Sequence, residues 1–166
     1  IPNPKSIGQF QKKMKYAVFK QNHYYYKMNL QSTQNPYWYG SRICIKKYLK
    51  SPQWLRNLKF KKRPFWRIDK LRLNNIITNG GWHFCNLKTA EQLLYKYKNL
   101  CETNDRYHFK EKIDQKYLQI VEIEKKIILG QDIIGRDELY KPKILDKSFP
   151  EHLLQNKKRY KDWIVN

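Results

Sequence analysis

Gly80-Gly81-Trp82-His83-Phe84 is the string in this chain whose residue types point most directly to chemistry. Two adjacent glycines let the backbone take positive φ and approach a ligand closely. Trp82 brings a flat apolar face of the sort on which sugar rings stack. His83 brings a nitrogen that takes a proton near neutrality or ligates a metal. The same residues also make a tight turn with a core tryptophan and a hydrogen-bonded histidine, and residue type alone leaves both readings open. A second string, Lys59-Phe60-Lys61-Lys62-Arg63-Pro64-Phe65-Trp66-Arg67, interleaves cations with aromatics. That pattern suits a nucleic-acid strand, through phosphate contacts and base stacking. It equally suits the diphosphate and base of a nucleotide. The three cysteines, Cys44, Cys85 and Cys101, have no C-x-x-C spacing, and the four histidines form no H-E-x-x-H arrangement. Neither a zinc site nor a disulfide framework is indicated, and reduced thiols are the default.

The surrounding charge is lopsided. The 166 residues carry 35 Lys+Arg against 14 Asp+Glu, a formal charge of +21, and the first carboxylate in the chain is Asp69. Residues 1–68 therefore hold +16 and the remainder +5. A segment without carboxylates supplies neither a hard-metal site nor a carboxylate base, but it does supply a field that attracts phosphate. With Lys, Asn, Ile and Tyr all abundant, codon bias in an AT-rich genome is an equally simple source of much of that charge. Aromatics at 15% and hydrophobics at 40% are enough for a real core, so disorder is excluded as the general state. No run of 18 apolar residues occurs, and no signal peptide is visible. The opening Ile1-Pro2-Asn3-Pro4 without Met predicts that a segment precedes it.

The elements that must position these groups can be read from spacing. Ile7, Phe10, Met14 and Val18 predict an amphipathic helix after Pro4. Alternation at Tyr24, Tyr26, Met28 and Leu30, and again from Tyr37 to Ile45, predicts two neighbouring strands joined by a turn at Ser32–Pro36. Ser51-Pro52 caps a short helix carrying Trp54, Leu55 and Leu58. Ile76-Ile77 reads as a strand leading into the glycine turn. Thr89 with Gln92 and Ser148 with Glu151 form capping boxes ahead of two helices. Ile113, Tyr117, Ile120, Val121, Ile127 and Ile128 predict another helix, closed by Gly130. Strands come early and helices late without a domain break, which predicts a mixed α/β portion of a larger fold.

Taken in order, these segments resemble the carboxyl-terminal part of glycosyltransferase family 17, the family of the β-1,4-mannosyl-glycoprotein β-1,4-N-acetylglucosaminyltransferases. The family's metal motif reads Asp-x-Asp-Glu-Ile-Pro, and this chain starts at Ile1-Pro2. Tyr24-Tyr25-Tyr26-Lys27-Met28-Asn29-Leu30 looks like the family's aromatic strand. Trp38-Tyr39-Gly40-Ser41-Arg42 resembles its Trp-x-Gly-[Ser/Thr]-Arg segment, and Gly81-Trp82-His83 its Gly-Trp-His. Residues 132–136 and the stretch from Phe149-Pro150 to Asn156 resemble its closing acidic turn and final helix. The resemblance covers essentially the whole chain. One departure is that relatives carry a Ser-Phe-x-His stretch where this chain has Lys96-Tyr97-Lys98-Asn99-Leu100-Cys101-Glu102, so the histidine position falls on Glu102.

The resemblance implies an incomplete GT-A-like (Rossmann-like) domain, residues 1–166 being the carboxyl-terminal part of a single glycosyltransferase domain whose nucleotide-binding segment lies upstream. It implies transfer of N-acetylglucosamine or a related sugar from a UDP-sugar to a glycan acceptor, with inversion, using Mn²⁺ or Mg²⁺. The main metal ligands would lie upstream of Ile1, and the chain alone would be inactive. Because residues 1–68 hold no carboxylate, the base that takes the acceptor proton must come from His23, His83 or the second half. His83 is also the expected metal or diphosphate contact, and it joins Glu102 and Asp105 as the catalytic candidates, ahead of Glu111. Glu91 sits inside a capping box and reads more simply as a helix-start charge. Trp82 and Gly81 are expected at the sugar, Arg42 and Lys98 at the diphosphate, and Tyr25 and Arg136 also at substrate. Eukaryotic relatives act on N-linked glycans in the Golgi. A microbial or viral enzyme working in the cytoplasm fits this chain better. The competing readings are a basic nucleic-acid-binding module and a non-catalytic remnant of the transferase.

Overall fold

Among the described residues, short strands predominate in the first half of the chain and short helices in the second. The computed structural model describes residues 1–58, 75–99 and 119–165. The strands are β1 (Tyr16–Phe19), β2 (Gln21–Tyr25), β3 (Leu30–Ser32), β4 (Tyr37–Trp38), β5 (Arg42–Cys44), β6 (Ile76–Ile77), β7 (Trp82–Cys85) and β8 (Tyr140–Pro142). The helices are α1 (Pro52–Asn57), α2 (Ala90–Asn99), α3 (Ile120–Ile128) and α4 (Glu151–Gln155), with 3₁₀ turns that include Pro4–Gln9 and Lys12–Met14. The content is mixed α/β. The chain divides into two compact units, one of Ile1–His23 with Tyr37–His83, the other of Tyr24–Pro36 with Phe84–Asn166.

In the first unit, β1 is the middle strand of a three-stranded sheet. It pairs antiparallel with β5 through Ala17↔Ile43 and parallel with β6 through Val18↔Ile76. Both its faces are covered. Ala17 and Phe19 pack with Ile77, Phe10 and Met14, while Val18 packs with Leu58, Trp54 and Leu55. A strand buried on both faces shows a continuous apolar run rather than alternation, and periodicity cannot tell that run from a helix. The helix expected over Ile7–Val18 is accordingly two 3₁₀ turns followed by β1. The Asn75 side-chain amide donates to the carbonyls of Met14 and Tyr16, 2.9 Å each, and fixes the chain where it enters β6. Helix α1 forms as its cap predicts: Ser51 Oγ accepts from the Trp54 amide at 3.0 Å with Pro52 behind it. Such a cap contributes about 1 kcal/mol. The alternation from Tyr37 to Ile45 resolves into two strands, β4 on β2 through Gln21↔Trp38 and β5 on β1.

In the second unit, β3 pairs antiparallel with the Tyr24 end of β2 and with β8. Strand β2 stops because Tyr26 takes φ +60, a left-handed conformation that bulky residues rarely adopt. The chain then turns through Lys27–Asn29 and returns as β3, which breaks the single strand predicted over Tyr24–Leu30. Burial of the Tyr26 ring, and a bond from its hydroxyl to Asp132 at 3.0 Å, offset that strain. Tyr26, Leu30, Leu93, Tyr97, Ile123, Ile127, Ile133 and Tyr140 form one core. Helix α2 starts at a true capping box, Thr89 N to Gln92 Oε1 at 3.2 Å and Gln92 N to Thr89 Oγ1 at 3.3 Å.

Helix α3 covers the predicted Ile120–Ile128, whereas Ile113 and Tyr117 lie outside the described residues. The second capping box does not form. Asp146 captures the Ser148 amide at 2.8 Å, along with the Ser148 hydroxyl, in a local turn, and α4 begins behind Pro150 instead. Strand β8, which follows α3 and α2, is a strand that the pattern of early strands does not contain, because three residues ending in Pro142 offer no alternation to read.

Gly130 closes α3 at φ +65, and a Cβ there would lie 2.0 Å from the Tyr140 carbonyl oxygen. The Tyr140 amide donates back to the Gly130 carbonyl at 2.7 Å. Gly130→Ala is therefore expected to destabilise by more than about 1 kcal/mol, because it combines left-handed strain with displacement of β8. Urea denaturation followed by circular dichroism measures it. An unchanged midpoint would show that β8 yields freely at this point.

Candidate functional site

The glycine turn ahead of β7 brings backbone against backbone. Gly81 has φ +116, and a Cβ there would sit 2.1 Å from the Ile1 carbonyl oxygen. Trp82 donates its amide to that oxygen at 2.9 Å, Asn3 donates to Gly80 O at 3.0 Å, and Asn22 donates to Gly81 O at 2.8 Å. Close approach is thus required, as expected of paired glycines, but residues 1–3 and β2 occupy the space in question. Trp82 is 9% exposed and belongs to the interior. Gly81 and Trp82, the residues expected at the sugar, thus lie against backbone and in the interior.

His83 is the residue of this turn that carries a reactive group to a ring cluster. Its imidazole lies 4.8 Å from the Trp38 ring at 13° and 5.2 Å from that of His23, and His23 lies 5.5 Å from Trp38. Register explains the grouping. Gln21 faces Trp38 across the β2–β4 ladder, and alternation puts Gln21 and His23 on the same side. Asn22 faces Tyr37 on the other side, where Lys20 Nζ stands 3.8 Å over the Tyr37 ring. Trp38 is 44% exposed and is the open indole of the cluster. Burial, and then the neighbouring His23 imidazole, push the His83 pKa down to about 4. At neutral pH His83 is uncharged. So low a value makes it a weak general base and a better hydrogen-bond acceptor or neutral metal ligand.

The other expected substrate residues are mostly committed elsewhere. Arg42 donates from Nε to Leu58 O at 2.8 Å and from a terminal nitrogen to Gly40 O at 2.6 Å. It ties β5 to the end of α1 with two of its donors. In the second unit, Arg136 makes two bonds to Asp132 Oδ2, at 3.1 and 2.7 Å, and its guanidinium lies 5.6 Å from the Tyr25 ring centre. The same oxygen accepts the hydroxyls of Tyr26 and Tyr140, 3.0 Å each. Asp132 Oδ1 accepts the amides of Ile134 and Arg136. Arg136 is thus an ion-pair partner of Asp132. Tyr25 is half-buried, and burial with Cys85 beside it pushes its hydroxyl up to about 12.

Lys98 is exposed in the last turn of α2, where a cation complements the helix dipole. Glu91, at the first turn of α2, has its pKa lowered chiefly by a hydrogen bond with Thr89, as a helix-start carboxylate should. Glu102, Asp105, Glu111 and the Lys59–Arg67 string lie outside the described residues.

Sequence reasoning offered His23 only as one possible source of the base and Trp38 only as part of the Trp-x-Gly segment, and did not bring the two together. The signal available was the Gln21↔Trp38 register, which the hairpin spacing foreshadowed without fixing. Among the described residues, no helix is long and apolar enough to cross a membrane. No protein-family model, curated protein or solved structure matches this chain.

Two outcomes are expected. The His83 ring should titrate near 4 by NMR, well below the ordinary 6.5. Its folded pKa is depressed, so the unfolded chain binds the extra proton, and stability is full above 6.5 and falls as pH drops from there towards 4. A His83 titration midpoint near 6.5 would remove the ring cluster's electrostatic basis. Asp132 behaves differently. Burial raises its pKa, but the Arg136 bonds and charge outweigh burial and hold it below the usual carboxylate value, so its contribution is lost only as pH falls through that lowered pKa. Asp132→Asn is expected to cost about 3–5 kcal/mol at neutral pH and to flatten the acid limb of the stability curve, measured by denaturation at several pH values.

Proposed function

We propose that this chain is the acceptor-side part of an inverting glycosyltransferase that moves N-acetylglucosamine, or a related sugar, from a UDP-sugar to a glycan acceptor. The reading includes an incomplete GT-A-like domain and dependence on Mn²⁺ or Mg²⁺. One observation carries it beyond the resemblance. Trp38 of the Trp-x-Gly segment and His83 of the Gly-Trp-His segment, far apart in sequence, stack ring on ring in the first unit. Two strings that individually suggest sugar and diphosphate chemistry thereby act as one surface.

The described residues do not by themselves fit Mn²⁺ or Mg²⁺. Both ions favour oxygen ligands, and the described residues of the first unit contain no Asp or Glu. In the second unit, Asp132 is taken up by Arg136 and two tyrosines, and no three of the described carboxylates lie together as a set of metal ligands. On this reading the carboxylates belong to an Asp-x-Asp-Glu-Ile-Pro motif ending at Ile1-Pro2. His83 stands as a neutral contact, and removal of the acceptor proton falls to Glu102 or Asp105. The excess of cations favours a diphosphate donor in any case.

The test uses the product of the whole reading frame that contains these residues. UDP should bind saturably and only with Mn²⁺ or Mg²⁺, and UDP-N-acetylglucosamine should be turned over in the presence of a glycan. His83→Ala should lower that turnover by about a hundredfold. Absence of uridine-nucleotide binding, together with single-stranded DNA or RNA affinity that falls steeply with salt, would replace this reading with a nucleic-acid-binding module.

A further inference from the structure

We infer that Trp38, seated in a notch made by Gly40 and backed by His83, is a preformed stacking platform for an uncharged pyranose ring of the acceptor. The inference rests on the transferase reading for the identity of the ligand, not for the platform.

Four observations on the first unit carry it. First, Trp38 is 44% exposed although it stacks at 4.8 Å on His83, so the indole is held and yet accessible. An aromatic ring that presents area while its rotamer is locked binds a partner with little ordering cost. Second, a Cβ on Gly40 would come within 1.9 Å of Trp38 Nε1 and 2.6 Å of Trp38 Cδ1. Gly40 has no positive φ among the backbone exceptions, so its glycine character serves the indole rather than the turn. The spacing Trp38-x-Gly40 therefore has a physical meaning: the side chain folds back over a residue that must have none.

Third, the side chains that meet the indole are uncharged at neutral pH, although the Ile1 amino group is near enough to disfavour the His83 cation. His83 is neutral with its pKa near 4, and Gln21, opposite Trp38 in the ladder, is an amide. Fourth, the nearest cation–aromatic pair of this hairpin, Lys20 on Tyr37, points to the opposite side of the ladder. In a chain of formal charge +21, a neutral aromatic face is where an uncharged ligand is selected over a phosphate-bearing one. A pyranose ring supplies C–H groups to the electron-rich indole face and carries no charge that needs compensation.

The experiment is a titration against neutral oligosaccharides, followed by saturation-transfer NMR and calorimetry with the best binder from a glycan array, and against UDP with Mn²⁺ in parallel. Trp38→Ala is expected to weaken oligosaccharide binding about tenfold or more and to leave UDP affinity within about twofold. Tyr37→Ala, on the other side of the same strand, should leave both unchanged. Gly40→Ala should reproduce the Trp38→Ala loss with the tryptophan still present. Trp38→Phe should restore part of the affinity, and it guards against a Gly40 variant that merely unfolds.

The platform is overturned if no neutral oligosaccharide binds, if Trp38→Ala binds glycans as well as the native chain, or if it loses UDP instead. Trp38-dependent glycan binding without any UDP binding would sink the transferase reading and leave the platform standing.

Discussion

Asp132 has to remain ionised inside the larger unit, and the surrounding chain is arranged to meet that demand. Its two oxygens accept from a guanidinium, two tyrosine hydroxyls and two backbone amides. The residues that donate come from the end of β2, from β8 and from the turn between them in sequence, so satisfying one carboxylate fixes three segments at once. Leaving it unsatisfied costs more than the net worth of the pair, which makes Asp132 a constraint on which conformations are allowed rather than a simple source of stability. Tyr26 shows the consequence. It holds a left-handed φ of +60 because its ring is in the core and its hydroxyl is on Asp132. The same arrangement keeps Arg136 across the Tyr25 ring.

The smaller unit solves the opposite problem. Its described residues include many cations and no carboxylate, so charge cannot be balanced locally and must be kept at the surface. What it buries is apolar on β1 and aromatic or amide at β2 and β7. Burying a neutral imidazole is the cheaper way to place a nitrogen there, since a protonated ring would lose hydration and face its neighbour's ring as well. The depressed pKa of His83 follows from that placement.

Legibility in the sequence followed the range of the interactions. Local signals were readable: Ser51 capping α1, Thr89 and Gln92 closing their box, Gly130 ending α3. Signals that depend on what packs from elsewhere were not. Val18 read as the last turn of a helix because a strand covered on both faces hides its period. The second capping box failed because Asp146 competes for Ser148 at shorter range than the helix does. At the candidate site, the glycine turn singled out His83, which the structure places against Trp38. Which tryptophan stands open was not, because Trp82 and Trp38 differ in burial and not in composition. Arg42 and Arg136 likewise look like free cations in sequence, and only the carbonyls and the carboxylate they meet show otherwise.

A strongly basic surface and a neutral aromatic face act over different distances. At physiological salt, charges on the surface are felt over about 8 Å, so they raise the local concentration of any polyanion without distinguishing among them. Selection then has to come from contact. A face whose imidazole is held uncharged and whose indole is locked by Gly40 contributes nothing to an anion's attraction and rewards flat apolar area. A nucleic-acid binder gains by placing cations among its stacking rings, as the Lys59–Arg67 string does in sequence. The Trp38 face keeps its stacking ring and its nearest cation on opposite sides of one ladder. On the proposed transferase reading, that separation is what would let one small unit concentrate a charged donor while reading an uncharged acceptor.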